Sequence, residues 1–383
     1  MLSVDVEKLY PAAKTLVKAR AASRIHAKDA TLYDFSPEAQ ACASDYMGWV
    51  DLATSPLCDM DAIQAFADEV VEAGLDTILL IGQGGSTQAP MTITKYNKHD
   101  STRVKFRTLD SDSPVRVREM LTICDPHRTL VIISSKSGGT IEPRMLLEAV
   151  RASFEKELGE HVVKHLVAIT DPGSDLDRQA REEGWRAVFS GEPTVGGRFS
   201  ALSVFGLVPA ALTGIDMEAF MAHAREAEEA CSEDAIDNPA DQPCGVPLRQ
   251  LPEGPQQVLI PYPQARARAG AVDRRSWWPS RWARTARAFC RTSRSTRCCS
   301  RKTRAIGPSS CTRPRPTCGT SAATSSMSLA YIDPAIPRLN YRIDTVEAAG
   351  RALRHVGATP SLCAATSWAC APSTSPTWPP RKA

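Results

Sequence analysis

Two short segments of the sequence combine glycines with side chains that can contact an anion. One reads QGGST at residues 83–87, and the other reads SKSGGT at residues 135–140. Each segment follows an apolar run of strand length and precedes a segment with helix-like composition. Glycines allow close backbone approach, and the start of a helix offers free N–H groups. Hydroxyls and one lysine complete a cradle for a phosphate dianion.

Each candidate phosphate ligand in these two loops carries a hydrogen-bond donor on its side chain. They are the side chains of Ser86, Ser135, Lys136, Ser137 and Thr140, with close backbone approach at Gly84 and Gly85. The alternative for either loop alone is an ordinary glycine and serine turn with a helix cap. Two such loops at equivalent strand ends of one sheet favour the phosphate site. Neither loop has the GxxxxGK[ST] or GxGxxG spacing, which argues against a nucleotide site.

In a third segment, PTVGGRFS at residues 193–200, an arginine follows two glycines. A predicted apolar helix over residues 201–212 comes directly after this segment. Next to Gly196 and Gly197, Arg198 has few neighbouring side chains and can direct its guanidinium group at a ligand oxygen. The alternative is a solvated arginine beside a flexible turn. The residues of this segment leave both interpretations open.

The elements that position these segments follow from the spacing of apolar residues. Five short apolar runs predict β-strands, and they alternate with helix-like segments. The predicted strands are residues 77–82, 104–110, 129–134, 166–170 and 186–190, and the predicted helices include 114–124, 142–157 and 175–183. This alternation is typical of βαβ units, a parallel sheet covered by helices on both faces, and ligand binding beyond the carboxyl ends of the strands.

A helical lead-in is predicted before the first of these strands. The spacing of Ile63, Phe66, Ala67, Val70 and Val71 at three and four residues predicts that these five share one apolar face of a helix.

The motifs IGQGGSTQAP, SSKSGGTIEP and VGGRFSALSVFG, in this order, resemble the sugar-isomerase (SIS) domain of the glucose-6-phosphate isomerase family. The resemblance covers residues 60–240 and implies a three-layer α/β/α sandwich with a mostly parallel sheet. The sequence departs from the family at Gln83, where an aliphatic residue is usual, and at Gly138 and Gly139, where bulkier residues are common. These changes could alter sugar contacts and still leave the phosphate site in place.

The resemblance implies an aldose–ketose isomerase that interconverts glucose 6-phosphate and fructose 6-phosphate through an enediolate, without metal or cofactor. Carried over by position, Ser86, Ser135, Ser137 and Thr140 would hold the substrate phosphate, and Arg198 would stabilise the enediolate. Moving a proton between C1 and C2 also needs a carboxylate base near both carbons. The three motifs do not contain that base. The family further implies a homodimer, and a non-catalytic sugar-phosphate-binding regulator is the alternative function.

The composition of the chain changes near residue 240. Residues 1–240 contain 24 Lys and Arg against 37 Asp and Glu, whereas residues 241–326 contain 16 against 3. Basic residues with interleaved tryptophans at residues 264–315 could bind nucleic acid, but this is the less favoured interpretation. The cysteine spacing there is poor for zinc, and a disordered linker is a third alternative.

A shifted reading frame explains this composition better, because GC-rich codons read out of frame yield Arg, Thr, Ser, Cys, Ala and Trp. Read from the third base, codons for residues 276–284 can encode QLVAESLGK, which resembles the second signature of the family. Its glutamate, the catalytic base, would be encoded across Pro279 and Ser280. The predicted organisation is therefore a helical lead-in (1–60), a first sugar-isomerase domain (61–240) and a garbled second one (241–383), in which only 327–350 are in frame.

The cellular setting follows from two further observations. No apolar run approaches the roughly 18 residues of a membrane-spanning helix. The first residues, MLSVDVEKLYPAAK, lack the basic and apolar regions of a signal peptide. We expect a soluble cytoplasmic protein with no membrane partner.

Overall fold

The computed structural model describes residues 3–4, 14, 16–32, 37–96, 104–238 and 339–340 of the 383-residue chain. The strands in these residues are β1 (Ser3–Val4), β2 (Thr77–Gly82), β3 (Lys105–Leu109), β4 (Thr129–Ser134), β5 (Leu166–Thr170), β6 (Ala187–Ser190) and β7 (Leu339–Asn340). The α-helices are α1 (Ala21–His26), α2 (Pro37–Ser44), α3 (Met60–Glu72), α4 (Gly85–Tyr96), α5 (Pro114–Ile123), α6 (Ile141–Leu158), α7 (Asp175–Glu182), α8 (Val204–Leu212) and α9 (Met217–Ser232). Short 3₁₀ helices cover Ala30–Leu32, Pro126–Arg128, Gly159–His165 and Gly197–Leu202.

Five of the strands form one parallel sheet in the order β3-β2-β4-β5-β6. The predicted α/β sandwich with a parallel sheet is therefore confirmed. The chain passes from β2 to β3 on one side and later adds β4, β5 and β6 on the other side. This reversal opens a crevice at the carboxyl ends of β2 and β4, the position where open α/β sheets bind ligands.

The central strands are buried on both faces, which explains their uninterrupted apolar sequences. Alternate residues point to opposite faces, and each face has its own hydrophobic core. Ile78 and Ile132 belong to the core under α3, α4, α8 and α9, whereas Leu79 and Val131 belong to the core under α5, α6 and α7.

Helix α3 confirms most of the predicted apolar face and corrects one residue. Ile63, Phe66, Ala67 and Val70 are buried, but the side chain of Val71 is 48% exposed. Successive helical residues are rotated by about 100°, so the face that packs on α8 extends as far as Val70 and excludes Val71.

The predicted helix over residues 201–212 is in fact two elements. The 3₁₀ helix Gly197–Leu202 ends before α8 begins at Val204. At this junction the chain passes close to itself, because a Cβ on Gly206 would lie 2.0 Å from the carbonyl oxygen of Ala201. The apolar pattern continues through both elements and therefore did not reveal the break.

The described part of the lead-in contains helices and one short strand. Leu16, Trp49 and Val50 are buried in the same core as α8. Strand β1 pairs antiparallel with β7, in the register Ser3 to Asn340 and Val4 to Leu339.

The domain boundaries at residues 60 and 240 stay predictions. The predicted out-of-frame segments 241–326 and 351–383 lie outside the described residues, as does 327–350 except for β7.

Candidate functional site

The two glycine-containing loops follow neighbouring strands and therefore lie side by side. Gly82 at the end of β2 is in register with Ser134 at the end of β4. A Cβ on Gly82 would lie 2.7 Å from the carbonyl oxygen of Ser134, so only glycine fits there without a backbone shift. This close approach brings the loop at 83–87 against the loop at 135–140.

The first loop turns directly into α4. Gly84 has a φ of +60°, which favours glycine, and α4 begins at Gly85. Ser86 therefore lies in the first turn of α4, where helical N–H groups are free to bind an anion. Gln83 is tied to the neighbouring strand end, because its Nε2 donates to the carbonyl oxygen of Asp110 at 3.1 Å.

The second loop is a tight turn before α6. The N–H of Gly138, at a φ of +66°, donates to the carbonyl oxygen of Ser135 at 3.1 Å. The hydroxyls of Ser137 and Thr140 lie 3.5 Å apart at the start of α6. Thr140 is the N-cap residue of this 18-residue helix, and its side chain makes no capping hydrogen bond to the first N–H groups. The dipole of α6 therefore favours an anion beside the loop.

A pocket of about 400 Å³ lies between the two loops. Residues from both loops line it, together with residues from the end of β5 and from the third motif. Its lining residues are Gln83, Gly85, Ser86, Ser134, Ser135, Lys136, Ser137, Thr140, Pro143, Asp171 and Gly197. The structure thus brings all five predicted phosphate ligands into one pocket. Their binding role stays a prediction.

Lys136 lies in this pocket with two protein partners. Its Nζ is 2.7 Å from Oδ2 of Asp171 and donates to the carbonyl oxygen of Glu192 at 2.9 Å. Asp171 was not among the site residues predicted from the sequence. Its position immediately after β5 matches that of Ser135 after β4, so the strand-end rule could have found it.

Several polar atoms of the pocket residues have no hydrogen-bond partner. The hydroxyls of Ser134 and Ser135 and Oδ1 of Asp171 are buried without one. Buried polar groups in folded proteins are normally hydrogen-bonded, and an unpaired one costs free energy. A polar ligand that reaches these atoms would relieve that cost. Ser134, like Asp171, was not selected from the sequence.

The third motif reaches the pocket through Gly197, next to Arg198. The motif is anchored to the lead-in, because the ring of Phe199 stacks on Trp49 at 4.7 Å. The N–H of Gly48 also donates to the carbonyl oxygen of Thr194 at 3.3 Å. Gly196 is the N-cap residue of the 3₁₀ helix Gly197–Leu202. The side chain of Arg198 lies outside the description, so its catalytic role stays a prediction.

The predicted position of the catalytic base, at the junction of Pro279 and Ser280, lies outside the described residues. In the described part of the chain, no three His, Cys, Asp or Glu side chains are grouped so that they could hold a metal ion. No helix of that part is long and apolar enough to cross a membrane.

Comparison with known proteins confirms the family resemblance over part of the chain. Residues 66–241 match the phosphoglucose isomerase family. A glucose-6-phosphate isomerase from Nostoc sp. is 35% identical over 198 residues, which are 47% of this chain and 37% of that protein. One from Carboxydothermus hydrogenoformans is 32% identical over 228 residues, which are 56% of this chain and 49% of that protein. The matched part thus spans half the length of these relatives or less.

Solved structures share the fold. A crystal structure of a hypothetical protein from Thermus thermophilus is 30% identical, with a TM-score of 0.53 over 64% of this chain and 56% of that chain. A glucose-6-phosphate isomerase from Chlamydia trachomatis is 17% identical, with a TM-score of 0.62 over 95% of this chain and 81% of that chain. At that identity, the second likeness supports the fold alone.

Proposed function

We propose that the pocket between the two loops binds the phosphate group of a sugar phosphate. We further propose that the intact gene encodes an isomerase of glucose 6-phosphate and fructose 6-phosphate. The observation that carries the proposal is the meeting of two hydroxyl-rich loops and two helix N-termini in one pocket, within the segment that matches phosphoglucose isomerase. Such a pocket offers many donors to phosphate oxygens.

In this proposal the described residues bind the substrate and orient it. The hydroxyls of Ser86, Ser135, Ser137 and Thr140 and the first N–H groups of α4 and α6 donate to the phosphate. The third motif is anchored beside the pocket, and Arg198 supplies a fixed positive charge where the enediolate oxygen develops. A carboxylate must then carry the proton between C1 and C2. We assign that step to the glutamate whose codon would span Pro279 and Ser280.

The chain as written therefore binds substrate and has little or no turnover. The relatives named glucose-6-phosphate isomerase extend well beyond the matched segment, and in this chain the composition changes where the match ends, near residue 241. We propose that single-base insertions or deletions shifted residues 241–326 and 351–383 out of frame. We place the reaction of the intact protein in the cytoplasm, and we expect a homodimer, as the family resemblance implies.

Binding of fructose 6-phosphate to the full chain tests the proposal. We expect the melting temperature to rise in a saturable way with fructose 6-phosphate, since a ligand that binds only the native state stabilises it. Fructose without phosphate is the control and should give no rise at the same concentrations. An unchanged melting temperature at millimolar fructose 6-phosphate would contradict the proposal. A coupled assay of isomerase activity on the same sample measures how much turnover remains.

A further inference from the structure

The pocket contains a buried hydroxyl that the phosphate assignment does not use. Ser134 is the last residue of β4, its side chain is 0% exposed, and its Oγ has no hydrogen-bond partner. It lines the pocket together with Ser86 and Gly197. An unpaired buried hydroxyl costs free energy of unfolding, so a polar group of a ligand would relieve a cost that the protein carries without ligand.

Asp171 also lines the pocket, and one of its carboxylate oxygens has no hydrogen-bond partner. Its Oδ2 is paired with Lys136 at 2.7 Å, whereas its Oδ1 is buried and unpaired. An ionised carboxylate only accepts hydrogen bonds. A phosphate dianion offers no donor and would be repelled, whereas an alcohol hydroxyl can donate to Oδ1. The partner that suits this acceptor is therefore a hydroxyl group.

The position of Ser134 in β4 separates it from the phosphate loop. Side chains alternate along a strand, so Ser134 shares the sheet face of Ile132, in the core that also contains Val195 and Leu202. This is the side of the third motif, which contains Arg198.

The pocket is also large enough for more than a phosphate group. Its volume of about 400 Å³ falls in the range of 300–1,000 Å³ that small organic ligands occupy.

We propose that Ser134 and Asp171 form a wall of the pocket that recognises hydroxyl groups of the bound sugar. The Ser134 hydroxyl pairs with one sugar hydroxyl, and the free oxygen of Asp171 accepts a hydrogen bond from a sugar hydroxyl. This wall selects a polyhydroxylated phosphate ester over inorganic phosphate. The inference rests on the proposed binding of sugar phosphates and adds specificity for the sugar.

The test is Ser134→Ala in the full chain, titrated separately with fructose 6-phosphate and with inorganic phosphate. We expect the affinity for fructose 6-phosphate to fall about 3- to 10-fold, the worth of one hydrogen bond. The affinity for inorganic phosphate should stay the same. The melting temperature without ligand should be equal or higher, because the variant removes an unpaired buried hydroxyl.

Thr129→Val is the matched control, at the other end of the same strand. The Thr129 side chain is also 0% exposed, but its hydroxyl donates to the carbonyl oxygen of Asp125 at 2.7 Å. This variant should lower the melting temperature and leave both affinities unchanged. It separates a general weakening of β4 from the loss of a ligand contact.

Three results would overturn the inference. One is an unchanged affinity of Ser134→Ala for fructose 6-phosphate, and another is an equal loss of affinity for both ligands, which would assign the hydroxyl to the phosphate. The third is a loss of affinity in Thr129→Val that matches the loss in Ser134→Ala. If the unmodified chain binds neither ligand, the proposed function itself fails, and the inference fails with it.

Discussion

At the scale of single residues, the ammonium group of Lys136 is held by acceptors from two other segments. Asp171, which follows β5, forms an ion pair with the ammonium group at 2.7 Å, and the carbonyl oxygen of Glu192, after β6, accepts a hydrogen bond from it at 2.9 Å. The side chains of Lys136 and Asp171 are 24% and 21% exposed, so the pair is partly shielded from water. The lysine can attract an anion, but its charge is largely offset by the carboxylate beside it.

The first prediction is that Asp171→Asn tightens the binding of inorganic phosphate. The substitution removes a negative charge from the pocket and leaves the ammonium group of Lys136 without its counterion. We expect about 5-fold tighter binding in calorimetric titrations at physiological salt, corresponding to about 1 kcal/mol. The control is Asp175→Asn on α7, whose side chain is 58% exposed and pairs with Arg178, and it should leave the affinity unchanged. Equal or weaker phosphate binding by Asp171→Asn would refute this account of Lys136.

At the scale of elements, the loop that carries Asp171 is fixed by the start of α7. The N–H of Gly173 donates to Oδ2 of Asp177 at 2.9 Å, and the N–H of Asp177 donates to the Ser174 hydroxyl at 3.1 Å. The hydroxyls of Thr170 and Ser174 lie 2.8 Å apart and connect the loop to the end of β5. These bonds hold residues 171–174 in one conformation and so position Asp171 against Lys136.

The second prediction concerns the pH dependence of this loop. The N–H of Gly173 and then Arg181 lower the pKa of the Asp177 carboxyl from its ordinary value of 3.8, although burial acts in the opposite direction. A lowered folded-state pKa gives stability that is fully present above 3.8 and is lost as the pH falls through the lower value.

We therefore expect Asp177→Asn to reduce the free energy of unfolding at pH 7 by about 2 kcal/mol, the worth of hydrogen bonds to a charged group. The difference from the unmodified chain should shrink as urea melts are repeated toward pH 3. Asp175→Asn, in the same helical turn and exposed, is the control and should show a smaller difference. If the loss of unfolding free energy in Asp177→Asn does not change with pH, the role of the charge is disproved.

The third prediction concerns the contact between β2 and β4. Gly82→Ala would place a Cβ 2.7 Å from the carbonyl oxygen of Ser134, which is backbone and cannot move aside without disturbing the strand. We expect a loss of about 1–3 kcal/mol of unfolding free energy, measured by urea denaturation. Gly197→Ala is the matched control, because a Cβ there meets nothing within 4 Å. Equal stability of the two variants would contradict the described packing of β2 on β4.

At the scale of the whole molecule, the two parts of the chain differ in composition, and a short strand pair connects them. The acidic part, residues 1–240, contains the sheet and the pocket. Strand β7 lies within residues 327–350, the stretch of the second part that we predict to be in frame, and pairs with β1 near the amino terminus. The pairing joins two stretches of ordinary composition.

The fourth prediction is that sequencing the DNA from codon 235 to the stop reveals a missing or extra base. Restoring the frame should place a glutamate at the junction of Pro279 and Ser280 and give isomerase activity. Substitution of that glutamate by Gln should abolish this activity. A single open frame that encodes the present residues, without an insertion or deletion relative to close relatives, would reject the frameshift.

The sequence by itself determined the main elements of the described part. Strands β2, β4 and β5 begin and end at the predicted residues, because strands buried on both faces of a sheet must be apolar throughout. The two loops were recognisable for a similar local reason. Glycines and hydroxyl residues between a strand and a helix are visible without knowledge of any distant partner.

Only the tertiary structure decided the strand order, the pocket and the partners of its side chains. The order β3-β2-β4-β5-β6 results from packing between segments far apart in the chain, and periodicity within a segment does not encode it. That order places the ends of β2 and β4 together, and the end of β5 beside β4. For the same reason, the pairing of Lys136 with Asp171 and the unpaired hydroxyl of Ser134 were not predictable, since both depend on distances across the sheet.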